Sequence, residues 1–354
     1  MTPKRRIVIL AQGKFSPLKS KTANQALRYI PEEVVGIIDG TQAGKTAQEV
    51  VGFGGDVPVF PDLRSSLSRH PDTLLIGIAP TGGRLPESWR AAILEAIDHR
   101  LDVISGLHTM LEGDPDFAAR AAAQGVRLVD LRKIPHDYEV VSRGSWRGRT
   151  AKTILTVGTD CNAGKMTASL ELHREFVRRG LSSDFVPTGQ TGILLAGKGI
   201  AVDSIISDYV AGAIEKEVDN SVRAGFGFIH VEGQGSLTHQ GYSAVTLGLM
   251  HGVMPDAMIM VHHPARRVDD YGFPLDNVRA FNALHEAVLA PFKRSRVVGI
   301  ALNSAMMTSE EAALARSSLE RELGLPVADV LTPEVAILAD ALLAFLQQPV
   351  AAAY

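Results

Sequence analysis

Short apolar runs recur along this chain, each followed by a stretch with helical periodicity. In the first part, runs at 6–11, 34–38, 57–60, 73–79, 102–105 and 127–130 read as strands. Helices fit most gaps, most clearly 86–99 and 115–124. In the second part, strands are expected at 154–157, 183–187, 226–231, 257–261, 296–302 and 327–330. Helices fit 167–179, 204–217, 275–290, 309–323 and 333–346, with Asp203 as the cap of the second and Ser309, Glu310 and Glu311 opening the fourth. Strands and helices in alternation predict an α/β protein built from parallel sheets with helices on their faces. The expected division is a Rossmann-like domain over 1–135, a linker over 136–152 and a P-loop domain over 153–354. The linker reading rests on weak periodicity, two glycines and the basic residues Arg143, Arg147, Arg149 and Lys152.

Composition narrows the class. The 354 residues are enough for two ordinary cores, and the net charge of −3 leaves no electrostatic footprint for nucleic acid. No stretch is long and apolar enough to span a bilayer, and the start runs straight into a strand without a signal-peptide pattern. A cytoplasmic protein is therefore expected. The single cysteine, Cys161, excludes an internal disulfide and a multi-cysteine metal site. It reads as a small loop-filling residue, with a nucleophile as the alternative.

The strongest chemical signal is the run Gly158-Thr159-Asp160-Cys161-Asn162-Ala163-Gly164-Lys165-Met166-Thr167, between a strand and a helix. That context is a P-loop: glycines let backbone N–H groups converge on phosphate oxygens, and the helix N-terminus and Lys165 add positive charge. Gly158, Thr159, Asp160, Asn162, Gly164, Lys165, Met166 and Thr167 are the expected cofactor-binding set. Met166 departs from the pattern. A Ser or Thr there holds Mg²⁺ in nucleotide hydrolases, and a thioether is a poor ligand for a hard cation. Thr167 is one residue late, about 100° around the helix. Phosphate binding follows from the motif and metal-assisted hydrolysis does not; no resident metal is expected.

Other candidates lie at strand ends, where open α/β sheets bind ligands. Glu232, closing an apolar strand before Gly233-Gln234-Gly235-Ser236, has Walker B placement and reads as a proton acceptor or metal ligand. Gln190 and Thr191 lie in Pro187-Thr188-Gly189-Gln190-Thr191-Gly192, a polar loop that suits a small molecule or an ordinary turn equally. His262-His263-Pro264-Ala265-Arg266-Arg267 offers a base and a carboxylate clamp, or structural histidines. His230, mid-strand, reads as a core residue. In the first domain, Pro80-Thr81-Gly82-Gly83-Arg84 is a glycine-rich strand end, and Asp39 precedes a near-miss P-loop at 40–46, where a cap or turn role outweighs a ribose contact.

The loop at 158–165, Gln190-Thr191-Gly192 and Glu232-Gly233 resemble dethiobiotin synthetase over the second domain alone. A resemblance over almost the whole chain is to the D-glutamate N-acetyltransferase family. It rests on the Rossmann-like domain joined to Gly-Thr-Asp-Cys…Gly-Lys-Met-Thr, Gly-Gln-Thr-Gly at 189–192, Gly199-Ile200-Ala201-Val202-Asp203 and Glu232-Gly233-Gln234-Gly235-Ser236. It implies transfer of an acetyl group from acetyl-CoA to the amine of D-glutamate by a cytoplasmic homo-oligomer acting on a small-molecule substrate. A P-loop that binds the phosphates of CoA has no need of the missing hydroxyl. The transfer needs a base, for which Glu232 and His262 are the candidates. A dicarboxylate needs cations, for which Arg84 and Arg266 are the candidates, with Gln190 and Thr191 beside them. The alternatives are an ATP-dependent ligase or carboxylase of the dethiobiotin synthetase type, which would require Mg²⁺, and a non-enzymatic nucleotide-binding regulator.

Overall fold

The computed structural model describes residues 4–78 and 83–347. Contacts divide the chain into two compact units, 1–133 with 193–197, and 134–192 with 198–354. Both are α/β, each around one six-stranded parallel sheet. Among the described residues no helix is long and apolar enough to cross a membrane.

The first unit runs β1 (Ile7–Leu10), α1 (Lys21–Tyr29), β2 (Val34–Ile38), α2 (Ala47–Val51), β3 (Val59–Phe60), α3 (Leu63–Ser66), β4 (Thr73–Ile76), α4 (Glu87–Asp98), β5 (Asp102–Ser105), α5 (Pro115–Gln124) and β6 (Leu128–Asp130). Its strand order, β3-β2-β1-β4-β5-β6, is that of a Rossmann sheet. Every residue of β1 and β4 is buried, which is why these strands read as unbroken apolar runs. The bounds of α5 follow from its ends: Asp114 accepts from the Asp116 and Phe117 amides, Pro115 opens the helix, and Gly125 closes it at φ 69°. Residues 79–82, which include most of the expected glycine-rich strand end, lie outside the described residues. The Asp39 carboxylate accepts from the Gly13, Phe15 and Thr41 amides. Burial pushes its pKa up, but the Thr41 hydroxyl and these amides outweigh that and hold it below the usual range. Asp39 thus fixes the loop after β1, the turn-forming role.

The second unit runs β7 (Lys152–Gly158), α6 (Lys165–Arg178), β8 (Ser183–Val186), the start of α7 (Gln190–Ala196, whose residues from 193 on group with the first unit), α8 (Val210–Arg223), β9 (Phe228–Val231), α9 (Ser243–Val253), β10 (Ala257–His262), α10 (Val278–Leu289), β11 (Arg296–Leu302), α11 (Ser309–Leu323), β12 (Val327–Asp329) and α12 (Val335–Leu346). The strand order is β12-β11-β10-β7-β9-β8. Side chains of β7 and β10 alternate between two cores. Leu155, Val157, Met258 and Met260 enter one, and Ile154, Ile259 and Val261 enter the other.

The start of α8 differs most from the sequence reading, while α11 begins at Ser309 as expected. The helix expected from Ser204 begins at Val210, and Asp203 lies in a short 3₁₀ turn instead of capping it. The adjacent Ile205 and Ile206 adopt extended backbone, ψ 141° and 134°, which separates that turn from the helix. At α11 the cap is Thr308, one residue before Ser309. Its side chain accepts from Glu311 N while Glu311 accepts from the Thr308 amide, a capping box.

The expected linker packs on α8. The Glu215 carboxylate accepts from the Arg143 amide at 2.7 Å and from the Ser145 amide, and Glu217 accepts from the Tyr138 hydroxyl. Arg149 pairs with Asp219 at 3.0 Å. Gly212 makes this approach possible, because a Cβ there would overlap the Val140 carbonyl. Gly212→Ala should therefore destabilise the protein by about 2 kcal/mol or more, despite the better helix propensity of Ala. Gly148→Ala, where a Cβ meets nothing within 4 Å, is the control and should match wild type. Denaturant titration of both variants measures the difference.

Three histidines of this unit are buried and held neutral. Burial lowers His230 to about 3 and His262 and His285 to about 4, with His173 adding to the effect on His230 and His263 to that on His262. Both ring nitrogens of His230 lack partners, and its ring meets Phe176 edge-on at 4.6 Å. Each folded pKa lies below the unfolded value near 6.5, so between the two the unfolded chain binds more protons. Stability should therefore fall as pH drops from 6.5 toward 4. Unfolding free energies measured from pH 7 to 4.5 test this; a flat profile would contradict it.

Candidate functional site

The central strand β7 delivers the P-loop at its carboxyl end, between β9 and β10. Gly164 turns the chain into α6 at φ 111°, a backbone that favours glycine, and no side chain caps the helix. Its first-turn N–H groups are thus left to a ligand anion. The Lys165 ammonium donates to the carbonyls of Asp160 at 2.7 Å and Cys161 at 3.2 Å. Met166 is buried in the core side of α6, Thr167 is half-buried and Asn162 is exposed. The Thr156 hydroxyl donates to the Lys165 carbonyl and accepts from the Gly233 amide, both at 3.1 Å. This joins the P-loop to the loop after β9. Burial pushes the Cys161 thiol up to about 11, which leaves it protonated and favours the loop-filling role over the nucleophile.

Glu232 is buried, and its carboxylate accepts from the Thr188 amide at 3.0 Å, the Gly189 amide at 3.2 Å and the Gln234 side chain at 3.1 Å. The Thr188 hydroxyl returns a bond to the Glu232 carbonyl at 2.7 Å. The carboxylate thus pins the start of α7 and with it half-buried Gln190 and buried Thr191. The segment 187–192 is therefore a strand end leading into a helix.

From the other side, His262 ends β10 with Nδ1 3.1 Å from the Thr159 hydroxyl. His263 is buried as well, and burial lowers its pKa. Arg266 places Nε 2.5 Å from a carboxylate oxygen of Asp160, an ion pair whose N–H is poorly aligned, and donates to Asp270 at 2.6 Å. Gly158 through Thr167, Glu232, Gln190, Thr191, His262 and Arg266 thus all belong to the carboxyl edge of one sheet. Arg84 belongs to the first unit, exposed in the loop between β4 and α4.

The sequence reading missed His239, buried in the loop after β9 between Tyr242, stacked at 4.9 Å, and Tyr271, edge-on at 5.3 Å. A ring nitrogen of His239, a carboxylate oxygen of Asp160 and the Cys161 sulfur lie within 4.8 Å of one another. These are metal-ligand types, but the Gly241 amide donates to Nδ1, which puts the neutral ring's proton on Nε2, and Arg266 already pairs with Asp160. The set would hold a cation only after that proton and that arginine were displaced. The available signal was position: His239 follows the same glycine-rich strand end as Glu232.

Two family models match the chain: a domain of unknown function (DUF1611_N), Rossmann-like, over 40–134, and a domain of unknown function (DUF1611_C), P-loop, over 140–339. A protein of Tritonibacter scottomollicae named D-glutamate N-acetyltransferase is 38% identical over 77% of this chain and 81% of its own. One of the same name from Pseudoalteromonas is 33% identical over 73% of this chain and 77% of its own. The crystal structure of a DUF1611 family protein from Anabaena variabilis superposes with a TM-score of 0.91 at 35% identity, covering 96% of this chain and 99% of that one. With both of its domains matched in order, the chain belongs to the DUF1611 family.

Proposed function

We propose that this protein is an N-acetyltransferase that moves an acetyl group from acetyl-CoA to the amine of D-glutamate. The observation that carries the reading is 38% identity, over most of both chains, to a protein named for that activity. The P-loop geometry agrees with it. An uncapped helix N-terminus and Lys165 suit a phosphate group, and buried Met166 supplies no hydroxyl for the metal that nucleotide hydrolysis uses.

On this reading the CoA phosphates occupy the P-loop, and Lys165 turns from the Asp160 and Cys161 carbonyls toward them. Glu232 fixes Gln190 and Thr191 beside the acceptor, while Arg266, steadied by Asp160 and Asp270, offers a cation to a carboxylate. His262 is the proton acceptor. Burial keeps its imidazole neutral, and nearby phosphate charge raises its basicity from the low value of the free protein.

Full-length protein should acetylate D-glutamate with acetyl-CoA in a thiol-release assay. Lys165→Ala should weaken CoA binding at least tenfold by calorimetry, about 1.4 kcal/mol. Sustained Mg²⁺-dependent phosphate release from ATP, stimulated by a substrate, would favour the ligase alternative instead.

His262 supplies a second test. Its pKa, followed by NMR of the ring, should rise from about 4 toward the ordinary histidine value when CoA binds. No change on saturation with CoA would place the phosphates elsewhere.

A further inference from the structure

His239 is 2% exposed, and its Nδ1 is committed to the Gly241 amide at 3.2 Å. In the neutral ring Nε2 therefore carries the proton, and Nε2 has no hydrogen-bond partner. Tyr242 and Tyr271 pack the ring on two sides, and a ring flip would give up the Gly241 bond. Asp160 is also 2% exposed, and neither of its carboxylate oxygens takes a hydrogen bond, although Arg266 balances its charge. A ring nitrogen of His239 and a carboxylate oxygen of Asp160 lie within 4.8 Å. A buried N–H whose facing carboxylate, exposed Asp270, is 4.0 Å away, and a buried carboxylate that pairs with Arg266 yet takes no hydrogen bond, thus stand together against the P-loop. Unsatisfied buried groups are costly, and two of them beside the P-loop point to a position that something polar occupies.

The chemistry of that something follows from the pair. It must accept from an N–H and donate to a carboxylate. A phosphate oxygen does only the first and would be repelled by Asp160. An ammonium does only the second. A hydroxyl, of a ligand or of a water molecule that the ligand displaces, does both through one oxygen atom. A ligand hydroxyl at this place belongs with a molecule anchored by phosphate, because Asp160 is a residue of the phosphate loop itself and its carbonyl accepts from Lys165.

We propose that His239 and Asp160 form a hydroxyl-recognition site for the ligand held in the P-loop, with Nε2–H donating to the hydroxyl oxygen and Asp160 accepting its proton in a hydrogen bond. The proposal builds on the reading of that ligand as CoA. CoA carries two hydroxyls near phosphate: the ribose 2′-hydroxyl beside the 3′-phosphate, and the pantoyl hydroxyl beyond the diphosphate. The site reads one of them. It adds selectivity for the phosphate ester, which a P-loop alone binds without regard to the attached group.

Calorimetric titration of full-length protein tests it, using CoA, 3′,5′-ADP, 4′-phosphopantetheine and ATP as probes. His239→Ala and Asp160→Asn should each weaken CoA by about tenfold, the worth of one hydrogen bond in a buried site. His239→Gln, whose amide keeps an N–H donor near the position of Nε2, should retain affinity within about threefold of wild type; a purely structural role for the ring would not be rescued this way. The same loss with 3′,5′-ADP and not with 4′-phosphopantetheine assigns the ribose hydroxyl, and the reverse assigns the pantoyl hydroxyl; either supports the site. If wild type ignores CoA but binds ATP, and the variants lose affinity for ATP, the CoA reading fails and the hydroxyl site stands. Unchanged affinity of folded His239→Ala and Asp160→Asn for every probe that wild type binds, or no binding of any probe by wild type, overturns the proposal.

Discussion

The candidate site depends on one contact between neighbouring strands, the Thr156 hydroxyl on β7. It donates to the Lys165 carbonyl and accepts from the Gly233 amide, so the start of α6 and the loop after β9 are fixed to the same atom. Gly233 can lie there only because it has no side chain: a Cβ would overlap the Thr156 carbonyl. The consequence runs outward through the backbone. Gly233 in place sets Glu232, Glu232 holds the Thr188 and Gly189 amides, and these start α7 with Gln190 and Thr191. A larger residue at 233 would not merely crowd the P-loop. It would release the carboxylate that organises the adjoining strand end.

Electrostatics at the same edge follow a consistent rule: every buried charge has been given opposite charge or donors, and the neutral groups have been kept neutral. Glu232 is surrounded by N–H donors, Asp160 faces Arg266, and Lys165 is turned onto carbonyls. His262 and His263 are prevented by burial from adding cations. Protonating them would place positive charge beside Arg266 in a region of low dielectric. On the proposed reading an incoming anion changes this balance for the histidines as well as for Lys165.

Much of this was legible in the sequence because its physical basis is local. Strands buried on both faces have apolar centres, so β2, β5 and β11 emerge from short apolar runs, although Asp102 and Arg296 open the latter two. The P-loop is legible because a backbone anion site demands glycines at fixed spacing next to a helix start. What escaped depends on distant partners. α9 is mostly apolar around its circumference, Ala244, Val245, Leu247, Leu249 and Met250 leaving no polar stripe, so no amphipathic period marks it. Segment 136–149 looks structureless because its hydrogen bonds go to Glu215, Glu217 and Asp219 of α8, more than sixty residues later. His239 has no local signature at all; only the folding of the β9 loop onto the P-loop brings it near Asp160.

Met166 shows how little separates two chemistries on one backbone. A hydroxyl at this position of a P-loop points at the phosphates and holds the ion that takes up charge during phosphoryl transfer. Here the side chain is apolar and buried, so the helix start keeps its amides and its lysine while losing the metal ligand. What survives is a helix start whose geometry suits a phosphate group, without the hydroxyl that holds the metal for its transfer. On the proposed reading this is a gain, because a phosphate used only as a handle must not react. The reacting centre is then moved to a carbonyl, which needs a positioned amine and donors for an oxyanion, not a cation. On that reading the polar residues at the ends of β8, β9 and β10 serve this demand, while the loop holds the ligand still.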